Sequence, residues 1–219
     1  MKKSLLFLFA FLFIYNICYS QDTFSICAVD PVTGQIGSAG ASCVTDVTIL
    51  TDVHPGWGVV HTQASWLAAN QNYARTLMNL HIPPSAIIDS MVAHDAQNNP
   101  TIRQYGIVDL GIGSGPRRAA YTGVNCNDYK NHIIGPTYTI QGNILLGQQI
   151  LDSMEARFNR ATGSLAVKLM AALQGAKVIG ADTRCAVRGT SSQSSFIRVA
   201  KPGDSTTLYL SLKECSGQP

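Results

Sequence analysis

Charged residues are scarce in this 219-residue sequence, and the two signs nearly cancel. Asp, Glu, Lys and Arg make up 13% of the chain, 46% of its residues are hydrophobic, and the formal net charge is +3. A composition this apolar is typical of a folded globular protein and argues against a disordered chain. A surface without a dominant charge gives no electrostatic basis for binding nucleic acid or an anionic membrane surface.

The sequence also lacks an apolar run long enough to span a membrane, which takes about 20 residues. An almost unbroken run, Leu5–Ile14, follows two lysines and precedes Cys-Tyr-Ser at positions 18–20. Basic, apolar and small-residue regions in this order are typical of a secretory signal peptide. We therefore expect residues 1–20 to be removed on export, which makes the mature protein secreted or periplasmic. Acylation at Cys18 is the alternative, and the bulky Ile17 before it disfavours that modification.

Internal repeats, low-complexity tracts and long linkers are absent as well, so residues 21–219 predict a single domain. Removing Lys2 and Lys3 lowers the net charge from +3 to +1, because 14 basic residues then face 13 acidic ones. We expect no nucleic-acid partner, and no membrane contact once the signal peptide has been removed. The sequence leaves a homo-oligomer open.

The cysteines and histidines show no metal-binding spacing. There is no Cys-x-x-Cys pair, and the five histidines are scattered. We therefore expect no metal and no other cofactor. Five cysteines follow the expected cleavage point, and an odd number leaves at least one thiol without a partner inside the chain. Cys27 lies in an apolar strand-like run and is expected to be a buried, inert thiol, whereas the pairing among Cys43, Cys126, Cys185 and Cys215 stays open.

Hydrophobic periodicity and turn residues predict blocks of strands, two helices, strands, two helices and strands. Turn chemistry at Asp30–Gly34 and Pro202–Asp204 indicates hairpins and therefore mainly antiparallel sheets. Paired helices outside two packed sheets give an α+β fold. Strands are predicted at 23–30, 35–42, 56–64, 103–110, 118–122, 138–146, 194–200 and 206–212, and helices at 66–80, from an N-cap at Ser85, at 147–159 and at 164–174.

Five motifs occur in a recognisable order. They are TFSICAVDPVTGQIGSAGAS at 23–42, HTQA at 61–64, RQYGIVD at 103–109, AAYTGVNC at 119–126 and QGNILLG at 141–147. The ordered set resembles DUF1028, a bacterial domain-of-unknown-function family grouped with the Ntn (N-terminal nucleophile) hydrolases. The resemblance covers essentially all of residues 21–219. It implies a four-layer αββα sandwich, and it implies little about activity because the family has no settled substrate.

The Ntn resemblance directs attention to Thr23. In such enzymes the first residue of the mature chain is the nucleophile, and its own α-amine, with a pKa of about 7.7–8.0, is the general base. Thr23 opens the first predicted strand, where that nucleophile would stand. Cleavage after Ser20 leaves Gln21 and Asp22 ahead of it, so the mechanism requires a further cut at the Asp22–Thr23 bond. The alternative is that Thr23 is only the β-forming first residue of a strand. Ser25 or Ser42 could replace it as the nucleophile, but each would need a further cut to become the first residue.

Amide side chains in the motifs are the next candidates. Thr62 and Gln63 end a strand, and their hydroxyl and amide side chains could orient a substrate or donate to an oxyanion. The alternative is that Gln63 only secures a neighbouring loop. Gln141 and Asn143 flank Gly142, and two amides on one strand face either complete a polar network or contact a ligand. We assign Gln63 and Asn143 to catalysis, and Thr62 and Gln141 to substrate binding.

Three further residues complete the candidate set. His132 lies in a predicted loop, NDYKNHIIG, and could be a general base near pH 7 or an ordinary surface histidine. Asp182 and Arg184 could form an ion pair, orient a loop or bind a substrate carboxylate, a task for which a bidentate guanidinium is suited. The alternative is an exposed pair that contributes little.

Two functions follow from these residues. The first is an exported Ntn-type amide hydrolase acting on a small amide or peptide-like substrate. The second is a non-catalytic secreted module of the same fold that binds a small ligand. The sequence does not identify the substrate.

Overall fold

The computed structural model describes residues 20–21, 23–111, 113–204 and 208–212, so the expected signal peptide lies almost wholly outside the described residues. In these residues two antiparallel sheets and four α-helices form an α+β sandwich. The strands are β1 Ser20–Gln21, β2 Thr23–Asp30, β3 Gln35–Ser42, β4 Thr51–His54, β5 Gly58–Ser65, β6 Arg103–Asp109, β7 Arg117–Thr122, β8 Asn131–Ile134, β9 Tyr138–Gly142, β10 Ser194–Ala200 and β11 Leu208–Leu212. The helices are α1 Ala68–Asn79, α2 Pro84–Ala93, α3 Gln148–Arg160 and α4 Leu165–Gly175, and short 3-10 helices cover Val47–Leu50, Pro100–Ile102 and Thr183–Arg188.

The strands divide into two sheets that face each other. Sheet A has the order β1-β5-β6-β7, with β4 also pairing β5, and sheet B has the order β11-β10-β3-β2-β9-β8. Helices α1 and α2 pack on sheet A, α3 and α4 pack on sheet B, and β2 contacts both β5 and β6 across the interior. The order of layers is therefore helix, sheet, sheet, helix, as the α+β prediction expected.

Strand alternation gives each face of β2 its own environment. Phe24, Ile26 and Ala28 are buried in the core under α3 and α4, whereas Ser25 and Cys27 point towards sheet A. Sheet A repeats the pattern, because Val60 packs under α1 and α2 while the neighbouring Val59 belongs to the layer between the sheets. The inter-sheet layer is thus built from alternate residues of several strands.

Several predicted bounds were wrong. The strand expected at 138–146 ends at Gly142, because the chain then bends and Ile144 adopts a left-handed φ of 52°. The second helix begins at Pro84, with Pro83 at the N-cap position, so Ser85 lies inside the first turn and does not cap it. The segment around His132, predicted as a loop, is a short strand, β8. The strand β4 was not predicted either.

The cysteine arrangement resolves part of what the sequence left open. Cys43 and Cys185 form a disulfide across a sequence separation of 142 residues. Cys27 is a free, fully buried thiol, as expected, and Cys126 is free and buried as well. Cys215 lies outside the described residues. Among those residues, no helix is both long enough and apolar enough to cross a membrane.

Candidate functional site

Thr23 is the first residue of β2 and lies at one end of the sandwich. It pairs with Ser42, the last residue of β3, and both side chains are fully buried. The carbonyl oxygen of Thr23 accepts a hydrogen bond from the backbone N–H of Asn143 at 3.1 Å and from Nε2 of Gln63 at 3.3 Å. Asn143 follows β9 in sheet B and Gln63 lies on β5 in sheet A, so the backbone of Thr23 is held from both sheets.

A network of side chains fills the inter-sheet layer next to Thr23. Ser25 Oγ donates to Gln63 Oε1 at 2.6 Å and lies 2.9 Å from His61 Nδ1. Gln141 Nε2 donates to Ser25 Oγ at 2.7 Å. Ser25, on β2, therefore connects side chains of β5 and β9. We refer to the buried residues joined in this way as the inter-sheet network: Ser25, Ser38, His61, Gln63, Gln104 and Gln141.

His61 is a buried, neutral member of this network. Its Nε2 lies 2.6 Å from Ser38 Oγ, and its Nδ1 contacts Ser25 Oγ. Burial, together with a smaller contribution from the nearby charge of Arg198, lowers the pKa of His61 to about 3. The ring therefore stays uncharged at neutral pH, where it orients two hydroxyl groups.

Gln104 carries the network to the edge of the sandwich. Its Oε1 accepts from Gln63 Nε2 at 2.8 Å, and its own Nε2 donates to Thr122 Oγ1 at 2.9 Å. Thr122 Oγ1 lies in turn 2.9 Å from His132 Nδ1. His132 is thus joined to the Thr23 carbonyl through three intervening side chains instead of contacting it. Burial lowers the pKa of His132, which favours its neutral form.

A buried carboxylate organises the loop that follows Ser42. The side chain of Asp182, fully buried, accepts hydrogen bonds from the backbone N–H groups of Cys43 at 2.8 Å and Arg184 at 3.1 Å. It also accepts a bidentate pair from the Arg184 guanidinium, at 3.1 Å from Nε and 2.8 Å from Nη2. Nη2 further lies 3.3 Å from Ser42 Oγ. The predicted Asp182–Arg184 ion pair therefore exists, and it directs a partly exposed cation to the partner residue of Thr23.

The disulfide fastens the segment around Asp182 to the end of β3. Cys43 follows Ser42 directly, and Cys185 follows Arg184. Leu145 forms an isolated bridge with Asp182, so the loop also contacts the chain just after Asn143. Three segments that are far apart in the sequence thus meet at Thr23.

The structure brings together four of the eight predicted residues: Thr23, Gln63, Asn143 and Arg184. Asp182 accepts hydrogen bonds from Arg184 and so holds it in place. Gln141 belongs to the inter-sheet network, where it donates to Ser25. His132 is at the edge. Thr62 lies on the opposite face of β5 from Gln63, opposite Tyr105 and on the side of α1 and α2. Its hydroxyl has no hydrogen-bond partner among the described residues.

Sequence reasoning missed Ser38, His61 and Gln104. The sequence indicates part of this network, because residues 61 and 63 are both polar and lie two apart on one strand, so their side chains face the same side. Nothing in the sequence says that Gln104 would reach Gln63. Gly106 supports the arrangement on the same strand, since a methyl group there would collide with the side-chain amide of Gln141.

The described residues contain no group of three His, Cys, Asp or Glu side chains that could hold a metal ion. An apolar groove of about 400 Å³ lies between α4 and β10, and Met170, Gln174 and Ile197 connect it to a second one of about 170 Å³. None of the predicted site residues lines either groove. The polar groups around Thr23 therefore form a site separate from these grooves.

Comparisons with known proteins support one family. The model of the family of unknown function DUF1028 matches residues 23–216. The crystal structure of protein SPO2555 from Silicibacter pomeroyi, which carries the same family model, is similar with a TM-score of 0.73 and 23% sequence identity, over 89% of this chain and 82% of that chain. No curated protein matches. The structural match shows the fold and assigns no activity.

Proposed function

The chain belongs to the DUF1028 family, and from the geometry of its site we propose that it is an amide hydrolase whose nucleophile is Thr23 at a newly formed N-terminus. The substrate class is a small amide or a peptide-like molecule. The observation that carries the proposal is the support of Thr23 from both sheets, through Asn143 N–H and Gln63 Nε2 on one carbonyl oxygen. The match of the family model also begins at residue 23.

Fixing the Thr23 carbonyl has a chemical purpose in this proposal. Fixing the carbonyl group restricts rotation of the rest of a terminal threonine. Its α-amine and its Oγ then keep one relative orientation. Ser42 lies directly opposite, with Arg184 Nη2 on its hydroxyl. Gln63 is then a positioning residue, because it contacts the backbone of the nucleophile and not the reacting atoms.

The reaction needs only the groups of Thr23 and water. Oγ attacks the carbonyl carbon of the substrate amide while the α-amine accepts the Oγ proton. The carbon–nitrogen bond then breaks, and the protonated α-amine returns its proton to the leaving amine. Water attacks the resulting Oγ ester, releases the carboxylic acid and restores the hydroxyl. An α-amine with a pKa near 8 can act as this base at neutral pH.

The neighbouring residues have separate tasks in this mechanism. Asn143 and Arg184 are the donors that can stabilise the oxyanion or bind a substrate carboxylate, and Asp182 holds Arg184 in place. Gln141 secures Ser25 behind the nucleophile. His132 is separated from Thr23 by three side chains, so it affects the site only through the network.

The first experiment determines the N-terminus of the exported protein by intact mass and then tests reactivity. A peptide β-lactone is the probe, because it acylates a nucleophilic hydroxyl without requiring the true substrate. A chain that begins with Thr23 should gain one probe mass, located on Thr23 by peptide mapping. Thr23→Ala and a chain beginning at Gln21 are the matched controls, and neither should react. Labelling that survives Thr23→Ala would contradict the proposal.

A second function rests on the burial of Thr23 when residues precede it. Its side chain has no exposed surface in the uncut chain. A mature protein that begins at Gln21 would therefore have no accessible nucleophile, and it would be a binding module that holds a small ligand with the polar groups around Thr23.

A further inference from the structure

The residues just ahead of Thr23 pair with the sheet opposite to the one that Thr23 joins. In β1, Ser20 lies opposite Ser65 and Gln21 lies opposite Ala64, so β1 belongs to sheet A. Thr23 opens β2 in sheet B. The described residues on either side of position 22 therefore pair with different sheets.

This pairing occupies a particular stretch of sheet edge. Further along the same edge of β5, β4 pairs with residues 58–61. At Ala64 and Ser65, β1 is the strand that covers the edge among the residues the structure describes. Cleavage before Thr23 would allow β1 to dissociate from β5, and the backbone of Ala64 and Ser65 would then be exposed.

We propose that the Ala64–Ser65 edge is the subsite for the acyl portion of the substrate, and that this portion is an extended peptide of at least two residues which pairs with β5 in the place of Ser20–Gln21. The inference rests on the proposed hydrolase function. In the uncut chain the acyl group is attached to the nitrogen of Thr23, and its chain runs to β5. Oγ and N of one threonine are separated by only two carbon atoms. An acyl chain carried on Oγ during turnover can therefore follow the same course.

The edge is held rigidly enough to serve as a template. Arg103 Nη1 donates to the carbonyl oxygen of Ser65, and Arg103 is paired with the buried Asp95 at 2.8 Å. Both ionic side chains are buried. The carbonyl of Ala64 accepts from Trp66 N–H at 2.9 Å, in a turn where Ala64 has a φ of 65°. Strand addition to a fixed edge gives affinity through the backbone, so it selects extended peptides over compact amides.

Binding of a tripeptide tests the inference without any turnover. The protein is a chain that begins at residue 23 and carries Thr23→Ala, and the probe is acetyl-Ser-Gln-Asp amide, the chain's own residues 20–22. We expect a dissociation constant on the order of 1 mM and shifts of the Ala64 and Ser65 amide resonances. A chain that retains Ser20 and Gln21 is the control and should not bind, because its edge is occupied. If the shortened chain does not fold, the full chain with Gln21→Pro replaces it.

Two methylated probes make the test specific for strand pairing. Consecutive amides of a strand point in opposite directions. Methylation of one of the Ser and Gln amides should therefore weaken binding about ten-fold or more, and methylation of the other should leave it unchanged.

Equal affinity for both methylated probes, or no shift at Ala64 and Ser65, would overturn the subsite. The lactone result is independent of this one, because the peptide experiment uses a chain without the nucleophile. Labelling without peptide binding would remove the subsite alone. Peptide binding without labelling would remove the hydrolase and leave a peptide-binding edge.

Discussion

The layer between the two sheets is apolar at one end and polar at the other, although the same strands supply both ends. The apolar end consists of Cys27, Val29, Ile36, Val59 and Val108. The polar end consists of the inter-sheet network together with Thr23, Ser42 and Asn143. On β5 the change occurs between Val59 and His61, which are two residues apart.

The two ends are stabilised by different interactions. Burying a valine side chain contributes about 1.5–3 kcal/mol without any directional requirement. A hydrogen bond contributes about 1 kcal/mol net, but a buried group left without its partner costs about 1–3 kcal/mol. The polar end therefore tolerates little change, and it fixes the positions of its side chains more narrowly. Such a region suits a site better than it suits a core.

The largest expected effect concerns the disulfide, which fastens only the polar end. Cys43→Ala combined with Cys185→Ala should lower the free energy of unfolding by about 3–5 kcal/mol, because the bond closes a very long loop in the unfolded chain. It should also loosen the Asp182–Arg184 pair beside Ser42 and reduce lactone labelling of Thr23. Urea denaturation and labelling measure the two effects, with Cys126→Ala as a control that removes a free buried thiol. A double variant that labels at the normal rate would show that the loop is not needed at the site.

Next, two substitutions compare the ends directly. Gln63→Leu removes the partner of Ser25, of Gln104 and of the Thr23 carbonyl, so stability should fall by about 3 kcal/mol and labelling of Thr23 by about 100-fold. Val108→Ala at the apolar end should cost about 1–3 kcal/mol and leave labelling unchanged. Equal losses of labelling in the two variants would mean that general loosening, and not the geometry at Thr23, controls reactivity.

A smaller effect should appear as a pH dependence of stability. His61 titrates near pH 6.5 in the unfolded chain but at about 3 when folded, so the unfolded state binds more protons between these values. Stability is therefore fully present above about pH 6.5 and is lost as the pH falls towards 3. At pH 5 the loss attributable to His61 is about 2 kcal/mol.

The variant His61→Gln isolates this contribution. At pH 7 this variant should be less stable than the unmodified chain. Its stability should decline less steeply between pH 7 and pH 5 when both proteins are followed by thermal unfolding. Parallel profiles for the two proteins would indicate that His61 is not buried in its neutral form.

The same division between the ends explains what the sequence could predict. The block order, the hairpin that pairs Thr23 with Ser42 and the burial of Cys27 depend on local alternation and turn residues, and these predictions were confirmed. The short strand β8 was missed, because four partly exposed residues give no clear period. Local patterns are sufficient where apolar side chains simply alternate.

Local patterns fail at the polar end, where the contacts join distant segments. The Cys43–Cys185 pairing and the contact between Gln63 and Gln104 depend on how whole sheets stack. Residues that are neighbours in the sequence can also lie on opposite faces of a sheet. Thr62 and Gln63 are both predicted site residues, but adjacent residues of a strand point to opposite faces, so the fold places only Gln63 beside Thr23.

The smallest expected effect follows from that separation. Thr62→Val replaces a buried hydroxyl that has no hydrogen-bond partner among the described residues by a methyl group of similar size. Removing an unpartnered polar atom from an apolar surrounding should leave stability unchanged or raise it by up to about 1 kcal/mol. Lactone labelling of Thr23 and binding of the tripeptide should both be unaffected, because Thr62 faces α1 and α2. The matched substitution Ser25→Ala, on the inner face, removes a hydroxyl that bonds to three side chains and should cost about 2 kcal/mol. A loss of labelling in Thr62→Val would mean that the outer face of β5 also takes part in the site, and the contrast between the two faces would no longer hold.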